Sequence, residues 1–144
     1  MKLFKQEKTG RTIVVRMDQG DDVLASIEKA IETYDIQDGY VASGIGTLDY
    51  CVLHMVTTTG YPAVEYFAKW DDEPLEVASI DGIIADGKPH LHMVVSDKRL
   101  AVAGHLEPGC RILYLGEVVI EETAGQALKR VPNDKGITEL VEKE

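Results

Sequence analysis

The sequence predicts one α+β domain, with a mostly antiparallel sheet of six to eight strands and a single main helix. Three observations lead to this class. Only one segment carries apolar residues at the three- and four-residue spacing of an amphipathic helix. The remainder consists of short β-branched and apolar runs, separated by Gly, Pro and Asp turn residues. The length of 144 residues matches one ordinary domain, in which the helix is expected to cover one face of the sheet.

The first strand and the helix are the earliest elements. Residues 12–17 are β-branched and apolar and end at turn residues, so they predict a strand. Asp21 or Asp22 is the expected N-cap of the helix, because a carboxylate accepts from the free N–H groups of a first turn. Gly39 closes the segment just beyond the helix. The apolar face of the helix consists of Val23, Leu24, Ile27, Ala30, Ile31 and Tyr34.

Strands are expected from there onward. Residues 40–45 and 48–57 form either a hairpin or one long bent strand with a bulge. Residues 65–70 and 75–85 are two strands with a turn at 71–74 between them, and residues 110–120 are a central strand with a bulge at Gly116 and Glu117. Residues 128–131 are a short segment, and residues 138–144 are expected to be a charged, frayed tail. We therefore expect a single domain over residues 1–144, with its core at about 7–121 and a charged C-terminal tail.

Three of the four histidines lie between His90 and His105, within sixteen residues. Apolar and polar positions alternate after Pro89, which is typical of a half-buried strand and places His90 and His92 on one face. At a rise of about 3.3 Å per residue, their Cα atoms are roughly 6.6 Å apart. Two imidazoles at that spacing can bind the same ion.

The position of His105 depends on the loop that follows this strand. A two-residue loop at Asp97 and Lys98 places His105 opposite His90, and a four-residue loop at 97–100 places it opposite His92. A three-residue loop sends His105 to the other face, because a slip of one residue inverts every side chain. The loop contains no Asn-Gly or Asp-Gly pair, which favours the four-residue form.

Three convergent histidines are the ligand set of an open zinc site, with water or substrate in the fourth position. The alternative is that His-x-His is only the polar face of an amphipathic strand. Cys110 is a candidate fourth ligand, although a buried cysteine is more typically a small hydrophobe, as is expected of Cys51. His54 lies in an apolar run and is interpreted as a core or interface histidine.

Composition weighs against several classes of partner. The net charge is −10, from 25 acidic and 15 basic residues, so the surface repels the phosphate backbone of nucleic acids. The N-terminus is too polar for a signal peptide, and no apolar run approaches the ~20 residues of a membrane-spanning helix. We expect a cytoplasmic protein with reduced thiols and no membrane partner. Because one helix covers only one face of a sheet, we also expect a homo-oligomer.

Several spaced motifs resemble the PPC domain, the plant-and-prokaryote-conserved domain. They are 89–92 (Pro-His-Leu-His), 96–97 (Ser-Asp), 104–106 (Gly-His-Leu), 108–110 (Pro-Gly-Cys) and 116–120 (Gly-Glu-Val-Val-Ile). The resemblance implies a stand-alone α+β domain that assembles as a homotrimer. It also implies that His90, His92 and His105 hold a metal ion, expected to be zinc.

The resemblance leaves two further roles open. In plants the domain follows AT-hook DNA-binding motifs, which implies a DNA-associated or regulatory module. This chain has no AT-hook and matches the plant Gly-Arg-Phe-Glu-Ile-Leu pattern only in part, at 75–77 (Leu-Glu-Val). The other role is a zinc-dependent hydrolase or lyase acting on a small molecule, with Glu76 or Glu107 as the base. Asp86, Glu107 or a backbone carbonyl is expected to orient the histidine rings.

Overall fold

The computed structural model describes residues 1–143, and its main sheet has six antiparallel strands. The strand order is β1-β6-β2-β3-β4-β5, and β5 also pairs with β2, so that strands β2 to β5 close on themselves. A separate hairpin contains β7 and β8. The predicted α+β class is confirmed. The elements are β1 (Gln6–Asp18), α1 (Val23–Thr33), β2 (Gly39–Val56), β3 (Glu65–Ala85), β4 (Lys88–Ser96), β5 (Ala101–Leu106), β6 (Arg111–Gly125), β7 (Leu128–Pro132) and β8 (Thr138–Glu142).

Helix α1 begins at the predicted place, and Asp22 is its N-cap. The Asp22 side chain accepts from the backbone N–H of Ala25 at 2.8 Å, which satisfies one of the free donors of the first turn. Val23, Ile27 and Ile31 are buried, as the helical spacing predicted. The helix packs against β1 and β6, where it covers part of the sheet.

Strands β2 and β3 are longer than the sequence suggested. Of the two alternatives for residues 40–57, the single long strand is confirmed as β2. The predicted turn at 71–74 is wrong, because β3 continues through it. Leu48 pairs with Leu75 and Tyr50 pairs with Asp71, so three residues of β3 lie opposite one residue of β2. The turn-forming residues at 72–74 form a bulge within β3, because pairing with β2 continues on both sides of them.

The β4–β5 hairpin has the four-residue loop. Ser96 pairs with Ala101, and the backbone N–H of Asp97 donates to the carbonyl of Leu100 at 3.1 Å. The Asp97 carboxylate accepts from the backbone N–H of Leu100 and of Arg99, at 2.9 and 2.6 Å. These backbone donors, with the Arg99 guanidinium, lower the pKa of Asp97 to about 2. The loop is therefore stabilised by Asp97.

The C-terminal segment differs from the expected frayed tail. Thr138–Glu142 forms β8 and pairs antiparallel with β7. The turn between them is organised by Asn133, whose side-chain oxygen accepts from the backbone N–H groups of Lys135 and Ile137, both at 3.0 Å. A side-chain acceptor of this kind stabilises a tight turn, so the last strand folds back.

The core is formed by the buried face of the sheet and the apolar face of α1. Leu91, Met93 and Val95 of β4 are all buried, which confirms the predicted alternation, and His90 and His92 are on the opposite face. Cys51 and Cys110 are fully buried with free thiols. In the described part of the chain, α1 is the only helix, and no helix is long and apolar enough to cross a membrane.

Candidate metal centre

Strand register brings the four histidines to one face of the sheet. His92 on β4 pairs with His105 on β5, and His105 pairs in turn with His54 on β2. Directly paired residues of antiparallel strands have side chains on the same face. His90 lies two residues before His92 and therefore shares that face. The closure of β5 onto β2 thus produces a histidine cluster, His54, His90, His92 and His105.

The three predicted ligands have ring spacings close to those of a zinc site. The ring centroids are 5.6 Å apart for His90 and His92, 5.0 Å for His90 and His105, and 5.6 Å for His92 and His105. Three imidazoles bound at about 2.0 Å to one tetrahedral zinc ion have centroids about 5.2 Å apart. The rings are therefore close to the separation that shared coordination requires.

His54 is a member of the cluster that the sequence interpretation missed. Its ring stacks on Phe67 at 4.8 Å and lies 5.9 Å from the ring of His105. Its Nε2 atom is buried without a hydrogen-bond partner in the described structure, and its Nδ1 atom lies 3.5 Å from Glu107 Oε1. No local pattern around His54 signals this, because its neighbour His105 is 51 residues away along the chain.

Glu107 orients the His105 ring. Its Oε1 atom lies 2.9 Å from His105 Nδ1. An ionised carboxylate only accepts hydrogen bonds, so Nδ1 carries the proton and Nε2 retains the free lone pair that a metal needs. Glu107 belongs to the loop between β5 and β6, and Asp22 stabilises this loop by accepting from the backbone N–H of Gly109 at 2.6 Å. Asp86 and Glu107 were both predicted to orient a histidine ring. Glu107 contacts His105, whereas Asp86 forms an ion pair with Lys143.

The surroundings of His90 and His92 favour their uncharged form. Burial lowers the pKa of His90 and of His92, and electrostatic repulsion from neighbouring cationic groups, His105 first among them, lowers both further. Neutral imidazole is the form that coordinates a metal. Even without a metal ion, the pKa values of His90 and His92 therefore favour the form that coordinates a metal.

One set of ligand atoms lies close enough together for a metal ion, and it shares His105 with the predicted set. One ligand atom each from His54, His105 and Glu107 lie within 4.8 Å of one another, so this set could hold a metal ion. In the predicted set of His90, His92 and His105, the ring centroids are 5.0 to 5.6 Å apart. His105 belongs to both sets, so it is the central residue of the candidate site.

Other sequence candidates lie elsewhere. The Cys110 Sγ atom is 3.8 Å from Cys51 Sγ and contacts the backbone of Val52, so it faces the core. Glu76 of β3 pairs with Ser96 at the C-terminal end of β4, whereas the β3 residue that pairs with His92 is Asp81.

The fold and the site together define a class of protein: an α+β domain whose curled antiparallel sheet carries a histidine and glutamate cluster suited to a metal ion. The chain belongs to the Plants and Prokaryotes Conserved (PCC) domain family, whose model matches residues 4–124. The family recognised from the spaced motifs is therefore confirmed. The matched region contains all four histidines and Glu107 but ends before β7 and β8.

Comparisons with individual proteins support the fold. A metal-containing protein from Archaeoglobus fulgidus is 26% identical, with a TM-score of 0.81 over 99% of this chain and 100% of that one. A Bacteroides thetaiotaomicron structure, described as that of a candidate DNA-binding protein, is 20% identical, with a TM-score of 0.79 over 97% and 98% of the two chains. The bifunctional protein GlmU of a Synechococcus strain is 28% identical over 120 residues, which are 83% of this chain but only 18% of GlmU.

Proposed function

We propose that this protein binds a zinc ion through His90, His92 and His105, with a water molecule as the fourth ligand. The observation that carries the proposal is the convergence of these three rings on one face, with centroids 5.0 to 5.6 Å apart. The metal-containing A. fulgidus protein, which shares the fold over its whole length, supports a metal in this family.

The donor set favours zinc among the common divalent ions. Three neutral nitrogen donors suit zinc, nickel and copper, whereas magnesium and calcium prefer oxygen donors. Zinc accepts a tetrahedral site with three protein ligands and leaves one position open. When bound, it would act as a Lewis acid and lower the pKa of its water to about 7. Glu107 would keep the proton on His105 Nδ1, so that Nε2 faces the ion.

Metal stoichiometry tests the proposal directly. Protein stripped with a chelator and then equilibrated with zinc is measured by elemental analysis, next to the triple variant His90→Ala, His92→Ala and His105→Ala. We expect one zinc ion per chain in the native protein and none in the variant. Circular dichroism of both proteins controls for folding. Equal zinc content in the two proteins would overturn the proposal.

Nucleic-acid binding is not part of the proposal. The formal net charge is −10, and the neutralisation of phosphates by Lys and Arg supplies most non-specific affinity. The B. thetaiotaomicron neighbour shares only the fold at 20% identity. We expect no saturable shift of duplex DNA at low salt in a gel-mobility titration, and saturable binding below micromolar concentration would contradict the charge argument.

Association into a homotrimer remains our prediction. Several large apolar side chains are exposed on the single chain, among them Tyr66, Phe67 and Tyr114. Phe67 stacks on His54, so an interface there would adjoin the histidine cluster. Exposed apolar surface of this kind is typical of a protein–protein contact. Sedimentation equilibrium gives the mass in solution, and a monomer at micromolar concentration would contradict the prediction.

A further inference from the structure

A pocket of about 410 Å³ lies between the histidine cluster and the β7–β8 hairpin. His90 and His105 form one wall, and Arg130 of β7 forms part of the other. Lys88, Asp86 and Thr138 also line it. The volume is within the range of about 300 to 1,000 Å³ that small-molecule sites occupy. The pocket therefore places a cationic side chain beside two of the proposed zinc ligands.

Arg130 is held in place by backbone carbonyls. Its Nη1 atom donates to the carbonyl of Lys88 and its Nη2 atom to the carbonyl of Ile83, both at 3.0 Å. Ile83 pairs directly with His90 across β3 and β4, so the guanidinium lies beside that histidine. Two of the five N–H groups of the guanidinium are used in this way, and the other three are available to a ligand.

Arg130 has no carboxylate partner among residues 1–143, although the protein has 25 acidic residues and a net charge of −10. Asp86, the acidic residue of the pocket lining, is paired with Lys143. Arg130 is half-buried, and its burial lowers the pKa of the guanidinium. A partly buried cation without a counter-ion is unfavourable. An anion in the pocket would remove that cost.

We propose that this pocket binds a small carboxylate that also carries a hydroxyl or keto oxygen. Arg130 would donate to the carboxylate, and the second oxygen would face the metal position at His90 and His105. The planar fork of a guanidinium matches a carboxylate in a bidentate geometry. A doubly charged phosphate is disfavoured relative to a singly charged carboxylate, because the net charge of −10 repels it more strongly. The metal contact rests on the proposed zinc function, whereas the Arg130 contact does not.

Two residues of the pocket lining lie in a part of the chain that the family model does not match. The family match ends at residue 124, and Arg130 and Thr138 lie beyond it on β7 and β8. The hairpin places them next to family-matched histidines of β4 and β5. The β7–β8 hairpin would therefore select the ligand, and the family-matched region, residues 4–124, would bind the metal.

Isothermal titration tests the proposal with lactate, propionate and inorganic phosphate as probes, at fixed ionic strength and in both zinc-loaded and metal-free protein. The variant is Arg130→Met, and the matched control is Arg16→Met, since Arg16 is exposed and paired with Asp18. We expect zinc-loaded protein to bind lactate more tightly than propionate or phosphate. Arg130→Met should weaken lactate binding by about tenfold or more, as expected for the loss of a charged hydrogen bond, and Arg16→Met should not change it.

This experiment distinguishes the Arg130 contact from the metal contact. Metal-free protein should bind lactate and propionate equally and more weakly, and binding should still depend on Arg130. That result would support the anion site even if zinc binding failed. Arg130→Met also removes the two hydrogen bonds from Arg130 to the carbonyls of Lys88 and Ile83. Arg130→Lys therefore serves as a second variant, which keeps the charge and should retain part of the affinity. Equal lactate affinity in the native and Arg130→Met proteins, or a preference for phosphate, would overturn the proposal.

Discussion

Replacement of Glu107 by Gln tests how the candidate site is built. Glu107 Oε1 accepts from His105 Nδ1 at 2.9 Å, and the charged acceptor fixes which ring nitrogen is free. Gln can still accept this bond through its amide oxygen but lacks the charge, and charge-assisted bonds are roughly twice as strong as neutral ones. Loss of such an outer partner typically lowers metal affinity by about 10- to 100-fold. That range corresponds to about 1.4 to 2.7 kcal/mol.

The assay is a competition titration of zinc against a chromogenic chelator. Glu107→Gln should bind one zinc ion per chain with affinity reduced by about tenfold, and Glu107→Ala should approach the 100-fold limit. Glu65→Gln is the matched control, because Glu65 lies 3.5 Å from His54 Nε2 and is near the same cluster. Since His54 is not one of the proposed ligands, we expect the affinity of the control to stay within about twofold of the native value.

One result would refute this reasoning. If zinc is bound by His54, His105 and Glu107, whose ligand atoms lie within 4.8 Å of one another, Glu107→Gln removes a ligand. Stoichiometric binding would then be lost in Glu107→Gln and in His54→Asn, and retained in the His90→Ala, His92→Ala double variant. That pattern would replace the proposed ligand set with the alternative one.

Three further predictions concern stability, each measured by urea denaturation. The pKa values of His90 and His92 are lowered in the fold, so metal-free protein should be most stable above about pH 6.5 and lose stability as the pH falls toward the lowered values. The His90→Asn, His92→Asn variant should show a weaker pH dependence, and stability that increases on acidification would contradict the assignment. Gly82→Ala should destabilise by about 3 kcal/mol, because the added Cβ would lie 2.1 Å from the His90 carbonyl oxygen. Gly60→Ala, which meets nothing within 4 Å, should stay within about 0.5 kcal/mol, and equal effects would refute the steric explanation. Asp22→Ala should cost about 2.5 to 4 kcal/mol, because Asp22 caps α1 and also accepts from the loop after β5, and a loss below about 1 kcal/mol would show that one of these bonds contributes nothing.

Local chemistry was sufficient to predict α1 and the β4–β5 hairpin. The apolar spacing from Val23 to Ile31 and the cap at Asp22 depend only on neighbours within a few turns of the helix. The side of the sheet on which His105 lies depends on the length of one loop, and the absence of an Asn-Gly or Asp-Gly pair correctly favoured four residues there. Both features are set by interactions between residues that are close in sequence.

Interactions between distant residues decided the rest. The turn residues at 71–74 became a bulge because β2 runs alongside β3 on both sides of them. His54 joined the cluster because β5 pairs back onto β2, and Arg130 reached the neighbourhood of His90 because β7 and β8 fold against β3 and β4. The period-two pattern of a strand shows which side chains share a face, but it carries no information on which strands are neighbours. Strand pairing across 50 or so residues depends on the packing of the whole core, so the full histidine cluster and the adjoining pocket appear only in the folded domain.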